Sequence, residues 1–450
     1  MTGRHVIALA TALGMLAACG AAGDDGGSPG DDTNDPTVPP ADSTVASTPD
    51  PPAEPIAMPA RALPGDDATT AGSAVTAFGF DIYTAAAPLT GDADNLVLSP
   101  LSIAIALAML QPGANGEALE QLDELLRIGD AAEWHASMNA LEQSLEARVA
   151  ELPFDDPSGE QDPGEFHANI ANAAFLQPGY PFLPGYLDTI GANYGAVLEE
   201  LDFLTDQEAA AARINEFIAD ETDDKITDLL QPTDIDPATV LALVNALLLQ
   251  ASWETQFAVD ATADDEFTLA GGATVTVPMM HGRSDRSATG DGWVGASKAL
   301  VGGIRLDVVL PDDGHFADVE ARLGEVFDEL AASPRPGGEL AVPRFETRVT
   351  VGLTDALRAA GLTAPFSNGQ LMGIADDPQL VLDKAFHQTW LSVDEEGIEA
   401  AAATVLLVMA TSAPIDEPIA VVLDRPFVLR LVDTDSGATL FLGRVMDPTS

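Results

Sequence analysis

The stretch that decides how this chain is read is Asp394–Pro414, DEEGIEAAAATVLLVMATSAP. It opens on three carboxylates and a glycine and passes through four alanines. It then gathers Thr404, Val405, Leu406, Leu407, Val408 and Met409 before small residues and a proline stop it. Alternation sends Ile398, Ala400, Ala402, Thr404, Leu406 and Val408 to one face of a strand, and Glu399, Ala401, Ala403, Val405 and Leu407 to the other. Periodicity alone also allows a buried helix or an ordinary core strand, because the run is apolar all round. It is too short to span a membrane, which takes roughly 20 apolar residues.

The rest of the chain is strongly acidic. Net charge is −53, from 72 acidic against 19 basic residues, with 46% hydrophobic residues in a length of 450. Such a balance argues strongly against nucleic-acid binding, which needs basic patches for phosphates, so no nucleic-acid partner is expected. The core supply is ample for one large domain. Arg4 and His5 followed by the apolar run Val6–Ala18 read as a signal peptide over residues 1–18. It ends in Leu16-Ala17-Ala18-Cys19-Gly20, which resembles the lipobox of bacterial lipoproteins. That resemblance implies lipidation of Cys19 and an exported protein anchored at the cell envelope, at the outer membrane or cell surface; the alternative is a plain secretory signal with an incidental cysteine and a secreted protein. Cys19 is the only cysteine, so no disulfide can form within the chain. Residues 19–65 are rich in Asp, Pro, Gly, Ser and Thr and read as a disordered tether. The folded domain is expected over 66–450.

Within it, Ala71–Ala87 reads as a helix, and Asn95–Leu98 as a short strand. Ser99 is a good cap and Pro100 a good first residue for a helix that is apolar on every face. Helices follow over Ala114–Ile128, Asp130–Val149, Leu183–Asn193, Asp206–Asp220, His315–Ala332 and Leu353–Ala360. Strands are read at His167–Leu176, Val197–Phe203, Ala238–Gln250, Thr274–Met280, Gly303–Leu310, Glu339–Val351, Leu380–Val393, Pro426–Val432 and Thr439–Val445. Helices lead and strands close the chain, which is α+β.

Several stretches in order resemble the serpins. They are Ser99–Leu110 with Gly113-Ala114-Asn115-Gly116; Ile214-Asn215 with Thr222 and Lys225-Ile226; and Val244-Asn245-Ala246-Leu247 with Trp253-Glu254 and Phe257. Val277-Pro278-Met279-Met280, Leu340–Phe345, Arg425-Pro426-Phe427, Phe441–Val445 and Asp447-Pro448 continue the series. The resemblance runs from Thr69 to Pro448. It implies a single domain with a main mixed β-sheet, two smaller sheets, eight or nine helices and an exposed reactive-centre loop. It makes Asp394–Pro414 that loop, and Glu395, Glu396, Gly397, Ile398, Glu399, Ala400, Ala401, Ala402, Ala403 and Thr404 its hinge.

The implied activity is inhibition of serine, or cysteine, endopeptidases as a suicide substrate: the cut loop enters the main sheet and traps the acyl-enzyme. Counting the family's usual loop length from Glu395 puts the reactive bond at Thr411-Ser412, with Met409-Ala410 and Ala410-Thr411 as alternatives. A small neutral residue before the bond points to elastase-like or subtilisin-like targets, because a trypsin-like pocket calls for a basic residue. Ile398 departs from the small residue usual there. The resemblance also assigns Ser99, Ser102, Asn245 and His387 to a hydrogen-bonded cluster beneath the sheet opening. Trp253, Arg344 and Glu395 are assigned to the place where the loop first goes in. The rival reading is a non-inhibitory serpin-fold lipoprotein that binds or supports. No Gly-x-Ser-x-Gly, HExxH or paired metal spacing occurs, so neither an enzyme nor a metal or other cofactor is expected. The expected state is a monomer.

Overall fold

The computed structural model describes residues 5–12, 60–65, 67–148, 166–398 and 419–450. The first described segment is a strand, β1 (His5–Ala12). Asp67 accepts from the backbone N–H of Thr69 at 2.9 Å and starts α1 (Thr69–Ala86), whose apolar stripe Ala71, Val75, Phe78 and Ile82 is buried. β2 (Leu96–Leu98) leads to α2 (Pro100–Leu110). The Ser99 hydroxyl caps α2 by accepting from Ser102 N–H at 3.2 Å, and all eleven helical residues are buried. α3 (Gly116–Leu125) and α4 (Ala131–Glu146, capped by Asp130) follow. Then come β3 (Phe166–Leu176), α5 (Pro184–Tyr194), β4 (Val197–Glu200), α6 (Gln207–Glu221, capped by Asp206) and β5 (Thr239–Ser252).

A run of short strands comes next: β6 (Ala263–Thr268), β7 (Thr274–Arg283), β8 (Arg286–Gly290), β9 (Trp293–Leu300) and β10 (Ile304–Pro311). After α7 (Phe316–Glu320) and α8 (Leu323–Ala332) the chain forms β11 (Glu339–Pro343), β12 (Phe345–Gly352), α9 (Leu353–Ala359) and β13 (Leu380–Val393). It ends with β14 (Gly397–Ile398), β15 (Val421–Val422), β16 (Phe427–Asp433) and β17 (Thr439–Val445).

Three sheets result. The main sheet is ordered β12-β13-β1-β5-β3-β4, with β14 paired to the end of β5. A second runs β2-β17-β16-β10-β9-β8, and a third β15-β11-β7-β6. The main sheet is mixed: β1 is parallel to both β13 and β5, whereas β3 is antiparallel to β5. α2 lies between the main sheet and β17 and reaches both, which is why it has no polar face. This is the α+β architecture expected, with nine α-helices among the described residues.

The structure redraws several expected boundaries. The helix read over His315–Ala332 is two, broken at Arg322, whose backbone (φ −135°, ψ 34°) is not helical. The extended stretch Glu339–Val351 is divided between sheets. Arg344 N–H donates to Pro278 O at 2.8 Å, which leaves β11 in the third sheet and sends β12 to the edge of the main one. β6, β8 and β9 are absent from the sequence reading, because their acidic or Gly/Ser-containing residues carry no clean alternation.

Two further contacts involve the amino-terminal region. Part of the segment read as a signal peptide, His5–Ala12, pairs as a strand inside the main sheet. The tether's last residues, 60–65, are also seated: Ala62 N–H donates to Ala192 O at 2.7 Å.

Burial of α2 on all sides fixes the scale of its contribution. Truncating its central leucine, Leu107→Ala, is expected to lower the unfolding free energy by about 3 kcal/mol, in the range for a fully buried leucine. Urea unfolding followed by fluorescence measures this, and a loss below about 1 kcal/mol contradicts it.

Candidate functional site

Beneath the middle of the main sheet, four side chains converge on the first turn of α2. Ser99, Ser102, Asn245 and His387 are each 0% exposed. Ser99 is held as the helix cap, so its backbone N–H is free to point outward, and it donates to His387 Nε2 at 2.9 Å. The acceptor nitrogen carries no proton, and burial pulls His387 down to about 3. One turn on, the Ser102 hydroxyl donates to Asn245 Oδ1. Asn245 in turn donates through Nδ2 to Asn172 Oδ1 at 2.8 Å.

β5 and β13 are thus both tied to the same helix end, although they do not touch one another. β1 lies between them, and its Thr11 stands opposite both Asn245 and His387 in the ladders. The four residues expected to cluster do so. Asn172, on β3, joins them; it lay within a strand read only as alternating, and its spacing carried no separate signal.

At one end of this opening, the chain leaves β13 through a tight turn. Asp394 Oδ1 accepts from the N–H groups of Glu396 and Gly397 at 2.9 and 3.0 Å. β14 then pairs antiparallel with Ala251 and Ser252 of β5. Trp253 and Phe257 hold the turn through three bonds. Trp253 Nε1 donates to Asp394 O at 2.8 Å, while the N–H groups of Trp253 and Phe257 donate to Glu396 O and Glu395 O at 2.9 Å.

A glycine is required at 397, since a Cβ there would lie 2.3 Å from Ala251 O. Ile398 is 1% exposed, so the apolar face predicted from alternation points inward here. Arg344 Nη1 stands 3.6 Å from Glu395 Oε1, an ion pair beyond hydrogen-bonding distance whose arginine is half exposed. The Glu395 carboxylate is buried, so this is not a simple surface pair, and Arg344 is the cation that faces its Oε1.

Lys298 belongs to the same corner, although sequence reading passed over it. Its Nζ lies 4.8 Å from the Phe257 ring centre and 5.6 Å from that of Trp253, and it donates to Arg283 O at 3.1 Å. Burial pulls this ammonium down to about 8 against the pull of Asp285 and Glu254. A lone lysine in the apolar run of β9 was the only signal available.

The remaining hinge residues Glu399, Ala400, Ala401, Ala402, Ala403 and Thr404, the bond candidates Met409, Ala410, Thr411 and Ser412, and Cys19 all lie outside the described residues. Among the described residues no three His, Cys, Asp or Glu side chains group as a metal site. No described helix is long and apolar enough to cross a membrane.

The arrangement has counterparts. Residues 73–448 match the family described as Serpin (serine protease inhibitor). Serpin A3-1 of Bos taurus is 32% identical over 393 residues, covering 85% of this chain and 90% of its own. An uncharacterized serpin-like protein of Thermococcus kodakarensis is 30% identical over 383 residues, covering 84% and 85%. Among solved structures, human thyroxine-binding globulin in complex with thyroxine superposes with a TM-score of 0.72 at 26% identity, covering 85% of this chain and all of its own.

The buried histidine makes a pH prediction. Between about 6.5 and 3 the unfolded chain carries a proton on His387 that the folded chain refuses, so stability falls as pH falls. The contribution is fully present above 6.5 and is lost as the pH drops toward 3. His135, pulled down to about 4 by burial, acts in the same direction. His387→Gln is expected to lose about 2.5 kcal/mol less than the parent between pH 7 and pH 4.5, at about 1.4 kcal/mol per unit below 6.5. Urea titrations at the two pH values test this, and identical losses refute it.

Proposed function

The chain belongs to the serpin family, and from that premise we propose that it is a suicide-substrate inhibitor of serine endopeptidases. The observation that carries this reading is the hinge. Gly397 and Ile398 already pair with β5 at the mouth of an opening that is one strand wide. β5 and β13 run in the same direction, and β14 runs against β5. A strand continuing β14 would therefore run antiparallel to both walls and complete both ladders.

In the proposed reaction the protease serine attacks the Thr411 carbonyl carbon. The bond to the Ser412 nitrogen breaks, the new amine takes a proton, and Thr411 remains as an ester on the protease. The freed hinge then pairs residue by residue from Ile398 inward. Insertion buries Ala400, Ala402, Thr404, Leu406 and Val408 and forms backbone hydrogen bonds on both sides. The protease is carried along before water can hydrolyse the ester.

β1 occupies the same opening, in the reverse direction to the loop. It lies within the segment proposed as a signal peptide, so its removal before Cys19 would vacate the site for the loop. The mature protein would then be held at the cell envelope by lipid on Cys19. The small residue before the bond favours elastase-like or subtilisin-like targets.

Mixing the chain that begins at Cys19 with an elastase or a subtilisin-type protease should give an adduct that survives SDS, with a rise in thermal stability. Loop cleavage with neither result would sink the inhibitory reading and favour a serpin fold used for binding. A second expectation follows from the buried face. Ala402→Arg places a charge among inward side chains and should turn most of the inhibitor into cleaved substrate. Undiminished adduct from that variant would overturn the register. The uncleaved chain, with residues 1–18 in place, should give cleavage with little adduct on the same gel, and equal adduct from both forms would remove β1 as a competitor.

A further inference from the structure

Residues 60–65 close on the domain through Arg61. Its Nη2 donates to Glu142 Oε2 at 3.0 Å, its Nε to Asn139 Oδ1 at 3.0 Å and its Nη1 to Glu146 Oε2 at 3.3 Å, all on α4. Asn139 and Gln143 donate back to Ala62 O at 3.1 and 2.9 Å. Gly195 makes room for the arginine stem, since a Cβ there would lie 2.9 Å from Arg61 Cδ. These bonds are more than surface decoration, because Glu142 is 0% exposed.

The oxygen of Glu142 that takes Arg61 also takes Asn172 Nδ2, at 2.9 Å. Burial pushes this carboxyl up to about 8 against the pull of Arg61, and Oε2 accepts both bonds whether or not Oε1 carries a proton. Asn172 Oδ1 accepts from Asn245, which accepts from Ser102. Ser102 N–H is held by Ser99, whose own N–H holds His387. The path Arg61–Glu142–Asn172–Asn245–Ser102–Ser99–His387 is continuous. It runs from the end of the tether, across α4, β3, β5 and α2, to both walls of the sheet opening.

We propose that docking of Arg61 controls the main sheet, holding β5 and β13 in the arrangement that accepts a strand. Asn172 can satisfy Glu142 and Asn245 together only in the amide orientation seen here. Arg61 fixes Glu142; Glu142 and the Tyr194 carbonyl, which accepts from the same Nδ2 at 2.9 Å, together fix Asn172; and Asn172 leaves Asn245 Oδ1 turned to Ser102. Interactions made in the strand-filled state favour that state by whatever they lose in the other. The tether is then a ligand of its own domain: engaged, it keeps the opening receptive, and released, it weakens strand acceptance at a distance.

Hydrogen exchange on the uncleaved full chain tests the coupling without a protease, so its outcome is separate from that of the inhibition reading. Arg61→Gln should speed exchange at least about fivefold in residues 5–12, 239–252 and 380–393, a size typical of coupling between sites, with 427–433 of the second sheet unchanged. Arg61→Lys, which keeps the charge but not the three-way fork, should fall between. Asn172→Ala cuts the path, so adding Arg61→Gln to it should change nothing further. Faster exchange confined to 131–146, uniform loosening that includes 427–433, or additive effects in the double variant would each overturn the proposal.

Discussion

Two parallel strands of the main sheet, β5 and β13, stand one strand apart, and the structure depends on what fills that gap. Each wall presents a row of backbone N–H and C=O groups that must find partners away from water. Ser99 and Ser102 grip His387 and Asn245 with a strand between them. β1 fills the gap parallel to both walls, and an antiparallel strand would use the same backbone groups. β1 is the strand seen there; in the proposed mechanism the chain beyond β14 would be its rival.

The stretches that carry the fold were legible where one physical demand dominated. α2 is apolar on every face because it is sandwiched between two sheets, and Ser99-Pro100 marked its start. β5 and β13 are long and buried and read as strands to within a residue or two. The break at Arg322 was not legible, since neither it nor its immediate neighbours is a glycine or proline, whereas Pro343 stood beside the crossing at Arg344 and was read through; tertiary bonds to Asp291 O and Pro278 O fix the chain at these two places. β6, with every residue but Phe267 exposed and half of them acidic, is a strand only because β7 offers it an edge.

The candidate site divides in the same way. Ser99, Ser102, Asn245, His387, Trp253, Arg344 and Glu395 were placed by resemblance, and the structure brings the first four together and the last three to the hinge. Asn172, Glu142, Arg61 and Lys298 were missed. Each is a single polar residue in a stretch whose pattern speaks of something else: an alternating strand, a helix with a polar side, an unstructured tether, an apolar strand. A buried polar side chain is visible only through its partners, and those partners lie 30 to 81 positions away for Glu142.

The described residues on either side of 399–418 belong to different sheets. Upstream, β14 is stitched to β5 of the main sheet; downstream, β15 lies beside β11 in the third, and the chain continues into β16 and β17 at the centre of the second. Every residue of β16 and β17 is buried. A nick between the two ends divides the polypeptide into a long piece and a short one without freeing the short one, because its side chains form part of the common interior. The covalent continuity of this protein and its physical continuity are therefore separate properties: the loop can be severed while the particle stays one body.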